Sequence, residues 1–98
     1  MASLSQMKDL FMLQREAKRI KKELKNVHVE AQAEGVLVVV SAEMEVIDVT
    51  VDPSTPIEKS GALFKDAANR AFKKAQLVAA ERMQPVMNQM GMGGNTAA

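Results

Sequence analysis

The chain has no cysteine, no tryptophan and no tyrosine, and only three phenylalanines and three prolines among 98 residues. Without cysteine there is no disulfide framework and no thiolate metal site, which accords with a reducing cytoplasm. A single histidine, His28, leaves any metal site to be built from carboxylates. No apolar run reaches the roughly 20 residues needed to span a bilayer, and Met1-Ala2-Ser3-Leu4 has no apolar signal region. No glycine-rich phosphate loop, nucleophile–base pair or cofactor fingerprint is present. The chain therefore reads as a non-enzyme, with no catalytic residue, no cofactor and no metal.

Charge of one sign is missing from the middle. Residues 28–57 carry six acidic side chains (Glu30, Glu34, Glu43, Glu45, Asp48, Asp52) and no basic one. Residues 1–27 carry seven basic and three acidic side chains, and residues 58–98 carry six and three. The net charge of +1 conceals this segregation. Basic ends flanking an acidic middle present a local positive field of the kind a polyanion feels.

Residues 3–26 lack Gly and Pro and are rich in helix formers, which predicts one long helix with Ser3 or Ser5 as its cap. Leu10, Leu13, Ala17, Ile20, Leu24 and Val27 recur at steps of three and four and fall within an arc of roughly 100°. Lys8, Arg15, Lys18, Arg19, Lys22 and Lys25 occupy the side away from Asp9, Glu16 and Glu23. Leu4, Met7 and Phe11 turn toward that basic side. Residues 27–34 alternate apolar and polar, as a half-buried strand does. Glu34-Gly35 can turn the chain. Val36-Leu37-Val38-Val39-Val40 is apolar throughout, which suggests a strand covered on both faces. A turn over residues 42–45 leads to a third strand with Ile47, Val49 and Val51 on its buried face. Asp52-Pro53-Ser54-Thr55-Pro56 stops the sheet. A second helix is expected over about residues 57–84, with Phe64, Ala67, Ala68, Ala71, Ala75, Val78 and Ala79 as its apolar stripe, Arg70, Lys73 and Lys74 opposite, and Pro85 ending or kinking it.

The fold class is therefore α+β: long helix, three-stranded antiparallel meander, long helix. Residues 1–86 make a single domain, and residues 87–98, rich in Met, Gly, Asn and Ala, are expected to be a disordered tail. A chain this short is marginal alone, which favours an oligomer.

The order of elements resembles the YbaB/EbfC family of bacterial nucleoid-associated DNA-binding proteins. Leu4 and Met7-Lys8, Glu23-Leu24, Gly35-Val36-Leu37-Val38, Val49-Thr50-Val51-Asp52-Pro53, Ala67-Ala68-Asn69-Arg70-Ala71 with Lys74, and Met90-Gly91-Met92-Gly93-Gly94 carry the resemblance. It implies a homodimer joined through the sheet body, with helical arms projecting like tweezers and binding double-stranded DNA in a cytoplasmic nucleoid. Carried over by position, the contacts are Lys8, Arg15, Lys18, Arg19, Lys22 and Lys25 on the first helix and Arg70, Lys73 and Lys74 on the second. The sequence departs from the family pattern at Ala33-Glu34, where glycines are usual, and at residues 42–45, where an Asn-Gly-type turn is usual. Two rival readings stand beside this one. The same cations serve RNA, and long helices with an apolar tip could clasp a protein client as a holdase does. No aromatics interleave the cations, which argues against a base-stacking single-strand binder.

Overall fold

The computed structural model describes residues 4–89, with side chains described over residues 7–88. The elements run α1 (Leu4–Leu24), β1 (His28–Ala33), β2 (Val36–Ser41), β3 (Val46–Val51) and α2 (Ile57–Gln89). The three strands form an antiparallel sheet in the order β1-β2-β3, which is the meander expected. Ser3 lies outside the described residues, and Ser5 falls inside α1 rather than capping it.

Register decides which side chains share a face. Val29, Ala31 and Ala33 pair with Val40, Val38 and Val36, so these six point to one side. Across the other ladder, Val36 and Val38 pair with Val51 and Val49. A bulge between Val39 and Val40 then sets Val46 and Ile47 together against Val40. α2 lies over β1 and β2 on this side. Val36, Val38 and Val40 are fully buried beneath Ala67, Ala68, Ala71 and Ala75, with Leu63 and Phe72 closing the edges. Alanine at four successive contact positions lets the helix axis approach the sheet closely, and the branched valines supply the volume.

Three expectations of burial are not met within the single chain. All six residues of β3 are exposed, including Ile47, Val49 and Val51, because α2 covers only the first two strands. Leu37 and Val39 are only half-buried, because the opposite face of the sheet has no second layer. They are flanked instead by Gln32 and Thr50, and by Glu30 and Asp48. Phe64 is exposed although it lies seven residues before Ala71, on the same helix face.

Both hairpins turn on residues in the left-handed region, Glu34 (φ 49°) and Met44 (φ 71°). Neither is glycine, so each turn must be held by its surroundings. At the second, the buried Ser41 hydroxyl accepts the backbone N–H groups of Glu43 and Glu45, at 3.2 and 3.3 Å. Ser41 also donates its own N–H to the Glu45 carbonyl at 2.8 Å. Gly35 is required by close approach: a Cβ there would collide with the Thr55 hydroxyl. The Asp52 N–H donates to the Gly35 carbonyl at 2.8 Å, tying the exit of β3 to the first turn. The Ser54 hydroxyl and then its backbone N–H donate to the Asp52 carboxylate and hold its pKa below the usual carboxylate value. The 33-residue α2 spans about 50 Å at 1.5 Å per residue, whereas a six-residue strand spans about 20 Å. The helix therefore outruns the sheet.

Beyond the sheet, α2 meets α1. Ile20, Leu24, Ala42 and Val86 form a second buried cluster, with Ala17, Val27, Val78, Ala79 and Met83 packed against it. α1 runs toward the sheet and α2 away from it, so the two form an antiparallel arm, and arm and body together measure 64 × 30 × 16 Å. The helix does not end at Pro85, as expected, but passes through it to Gln89. Burial of Val86, the next residue, against α1 offsets the lost hydrogen bond. Residues 87–89 are thus helical, and the rest of the expected tail lies outside the described residues. Leu10 is exposed and Leu13 only partly covered, so the apolar arc of α1 is buried over its second half alone.

Leu24, 6% exposed, anchors the arm to the body. Leu24→Ala is expected to cost about 3 kcal/mol, the usual transfer-plus-cavity loss, read as a lowered midpoint in urea denaturation.

Candidate nucleic-acid interface

α1 segregates its charges because its sequence repeats in phase with the helix. Lys8, Arg15, Lys18 and Lys22 are exposed and lie on the side away from the Ala17, Ile20 and Leu24 contact with α2, and Lys25, also exposed, lies in the turn just past the end of α1. Spacings of three, four and seven place successive cations on one face at about 5 to 10 Å along the axis. The acids of α1 lie on its flank. There Arg19, at the margin of the basic face, pairs with Glu16 at 3.6 Å and Glu23 at 4.0 Å. Arg19 is thus partly neutralised within the helix, whereas no ion pair involves Lys8, Arg15, Lys18, Lys21, Lys22 or Lys25 among the described residues. An open hollow on this flank is lined by Asp9, Met12, Leu13, Arg15, Glu16 and Arg19. Its two carboxylates oppose its two guanidinium groups, so it is no seat for an anion.

The cations of α2 are placed differently. Arg70 donates to the Gln32 carbonyl at 3.0 Å and pairs with Asp66 at 3.0 Å. Lys74 donates to the Glu30 carbonyl at 3.0 Å. Glu30 and Gln32 belong to β1, an edge strand, whose outward carbonyls would otherwise be unpaired. Arg70 and Lys74 therefore cap a sheet edge, a common device against unwanted strand addition. Lys73 is exposed on the solvent side of α2. The structure brings the α1 cations together along the arm and sets Arg70, Lys73 and Lys74 over the sheet. Arg82 was not among the residues singled out, yet it is exposed on the part of α2 that packs along α1.

The acidic residues of the middle segment are all exposed on the body. Glu30 and Asp48 flank Val39 on the open sheet face, and Glu43 and Glu45 occupy the second turn. Positive arm and negative body are thus spatially distinct. His28 is exposed, and the described residues contain no group of three or more His, Asp or Glu that could hold a metal ion. No described helix is long and apolar enough to cross a membrane.

A model of the YbaB/EbfC DNA-binding family matches residues 1–91. The chain belongs to the YbaB/EbfC DNA-binding family. A nucleoid-associated protein of Rhodopseudomonas palustris (strain BisB5) is 35% identical over 95 residues, spanning 91% of this chain and 90% of that protein. The crystal structure of the uncharacterized protein HP0035 from Helicobacter pylori matches with a TM-score of 0.72 at 18% identity, covering 92% of this chain and 99% of that one. That likeness is one of fold. YbaB/EbfC membership makes DNA binding the class of function to which the chain belongs.

Removing the edge caps tests their structural role. Arg70→Ala with Lys74→Ala is expected to lower stability by about 1 kcal/mol, since both charged-donor bonds are solvent-exposed. Urea denaturation reads the loss.

Proposed function

We propose that this chain binds double-stranded DNA through the basic face of α1, mainly by phosphate contacts, as a homodimer that helps to organise the nucleoid in the cytoplasm. The observation that carries the reading is the geometry of α1: Lys8, Arg15, Lys18 and Lys22 in phase along an exposed helix, Lys25 just past its end, the acids of α1 on the flank and the six acids of residues 28–57 on the sheet body. Cations repeating along one edge match a phosphate ladder and carry no sequence information of their own. Arg82 extends the same positive arm, and Lys73 adds a cation above the body. The relative named a nucleoid-associated protein supports the cellular setting.

Dimer formation follows from what one chain leaves bare. β3 is an edge strand with an uncapped ladder, in contrast to β1. On the α2 side of the sheet it exposes Val46, Val49 and Val51, each between 39% and 46%, in the region where α2 also exposes Phe64. An apolar strip along an open edge is a surface that a second copy covers. Pairing the chain with itself there hides the strip and leaves the α1 arms free. The acidic bodies then meet away from the DNA.

Two measurements test the reading. Replacing Arg15, Lys18 and Lys22 by Glu should weaken duplex binding at least a hundredfold in a mobility-shift titration, with the helical circular dichroism unchanged. A dimer engaging about six phosphates should also show log affinity falling against log salt with a slope near −5. Unaltered affinity in the triple variant would move the site off α1. For the dimer, light scattering at micromolar concentration should return twice the chain mass, and Val49→Lys should return the monomer. A monomeric parent protein would contradict the assignment of β3.

A further inference from the structure

The basic face of α1 is not wholly basic. Met7 and Phe11, 59% and 61% exposed, sit within it. Phe11 lies three residues after Lys8, four before Arg15 and seven before Lys18, so it shares their face. It stands roughly 150° around the helix from the Ala17, Ile20 and Leu24 contact with α2, and about 120° or more from Asp9, Glu16 and Glu23. Its exposure is therefore not unfinished packing against α2. It is an apolar centre in a ring of cations. Resting on the reading of α1 as the DNA-binding surface, we propose that Phe11, supported by Met7, enters the major groove and packs against the C5-methyl groups of thymine.

Charge complementarity selects this occupant. An apolar protein groove large enough to take Phe11 and Met7 would strip water from Lys8, Arg15 and Lys18 without pairing them, which is costly. The DNA major groove offers both requirements at once: phosphate walls for the surrounding cations and thymine methyls on the floor. At about 12 Å wide it admits an α-helix, whereas the minor groove, about 6 Å wide, does not. Phenylalanine against the thymine methyl is an established form of direct readout. α1 has the shape for it, because among the described residues its tip half is left uncovered: Leu10 is 54% exposed, in contrast to the buried Ile20 and Leu24. The contact adds a modest preference for thymine to a binding mode set by phosphates. It thus gives a DNA-organising arm a bias in composition without a fixed recognition site.

Two duplexes of one sequence, one with thymine and the other with uracil at every such position, differ in the C5-methyl alone. Each buried methyl is worth about 0.8 kcal/mol, or about fourfold in affinity. With one methyl buried by each arm of a dimer, the parent protein should bind the thymine duplex about fifteenfold more tightly. Phe11→Ala should reduce that ratio to near one, while keeping the salt slope and the helical circular dichroism. Equal affinity of the parent protein for both duplexes would overturn the proposal and leave phosphate binding by α1 intact. A ratio unchanged in Phe11→Ala would overturn the role of Phe11. Loss of concentration-dependent self-association in Phe11→Ala, with the thymine preference retained, would assign the patch to a second copy instead and also overturn it. Failure of the parent protein to bind either duplex would overturn the DNA reading itself, and this inference with it.

Discussion

The close seating of α2 on β1 and β2 governs the rest of the molecule. Ala67, Ala68, Ala71 and Ala75 bring the helix down onto Val36, Val38 and Val40, and all but Ala68 among these seven are fully buried. A single helix is about 10 Å wide with its side chains, and adjacent strands are about 4.8 Å apart. One helix therefore covers about two strands, and the third is left bare. The same helix is more than twice as long as the sheet, so its far half must find another apolar surface. It finds the Ala17, Ile20 and Leu24 stripe of α1. Bare β3 and projecting arm are both consequences of one docking event.

Charge follows this architecture. The strands and turns over residues 28–56 hold six acids and no cation, and twelve of the thirteen cations lie in the two helices. Because the helices extend beyond the sheet, segregation along the chain becomes segregation in space. Cations near the sheet serve it: Arg70 and Lys74 close the β1 edge by bonding its carbonyls. Cations on α1, beyond the sheet, have no such duty and face solvent. On the proposed function, a duplex approaching this molecule would meet attraction along the arm and repulsion from the body, so electrostatics would orient it before any contact forms.

Much of this was legible in the residues. Heptad-like steps over residues 10–27 and the alternation over residues 27–34 placed α1 and β1, and Asp52-Pro53 marked the end of β3 to the residue. The paired basic and acidic faces of α1 were legible because charge and helix share a period. What was not legible depended on neighbours. Periodicity shows that Ile47, Val49 and Val51 are apolar, but not that α2 stops short of them. Pro85 signals a helix end, and only the tertiary contact of Val86 with α1 carries the helix past it. Arg70 and Lys74 look like any exposed cations until the outward carbonyls of β1 are placed beside them. The turns at Glu34 and Met44 lack the residues that normally announce a positive φ, since Ser41 and the Asp52 to Thr55 loop hold the geometry from outside.

The central claim is that duplex DNA contacts the arm and avoids the body. Backbone amide shifts of the isotope-labelled protein, followed during titration with a short duplex, test it residue by residue. The account predicts progressive shifts along α1, at and beside Lys8, Arg15, Lys18 and Lys22. The amides of Glu30, Asp48 and the turn at Glu43 and Glu45 should stay in place. Shifts centred on the sheet with α1 unmoved would contradict it.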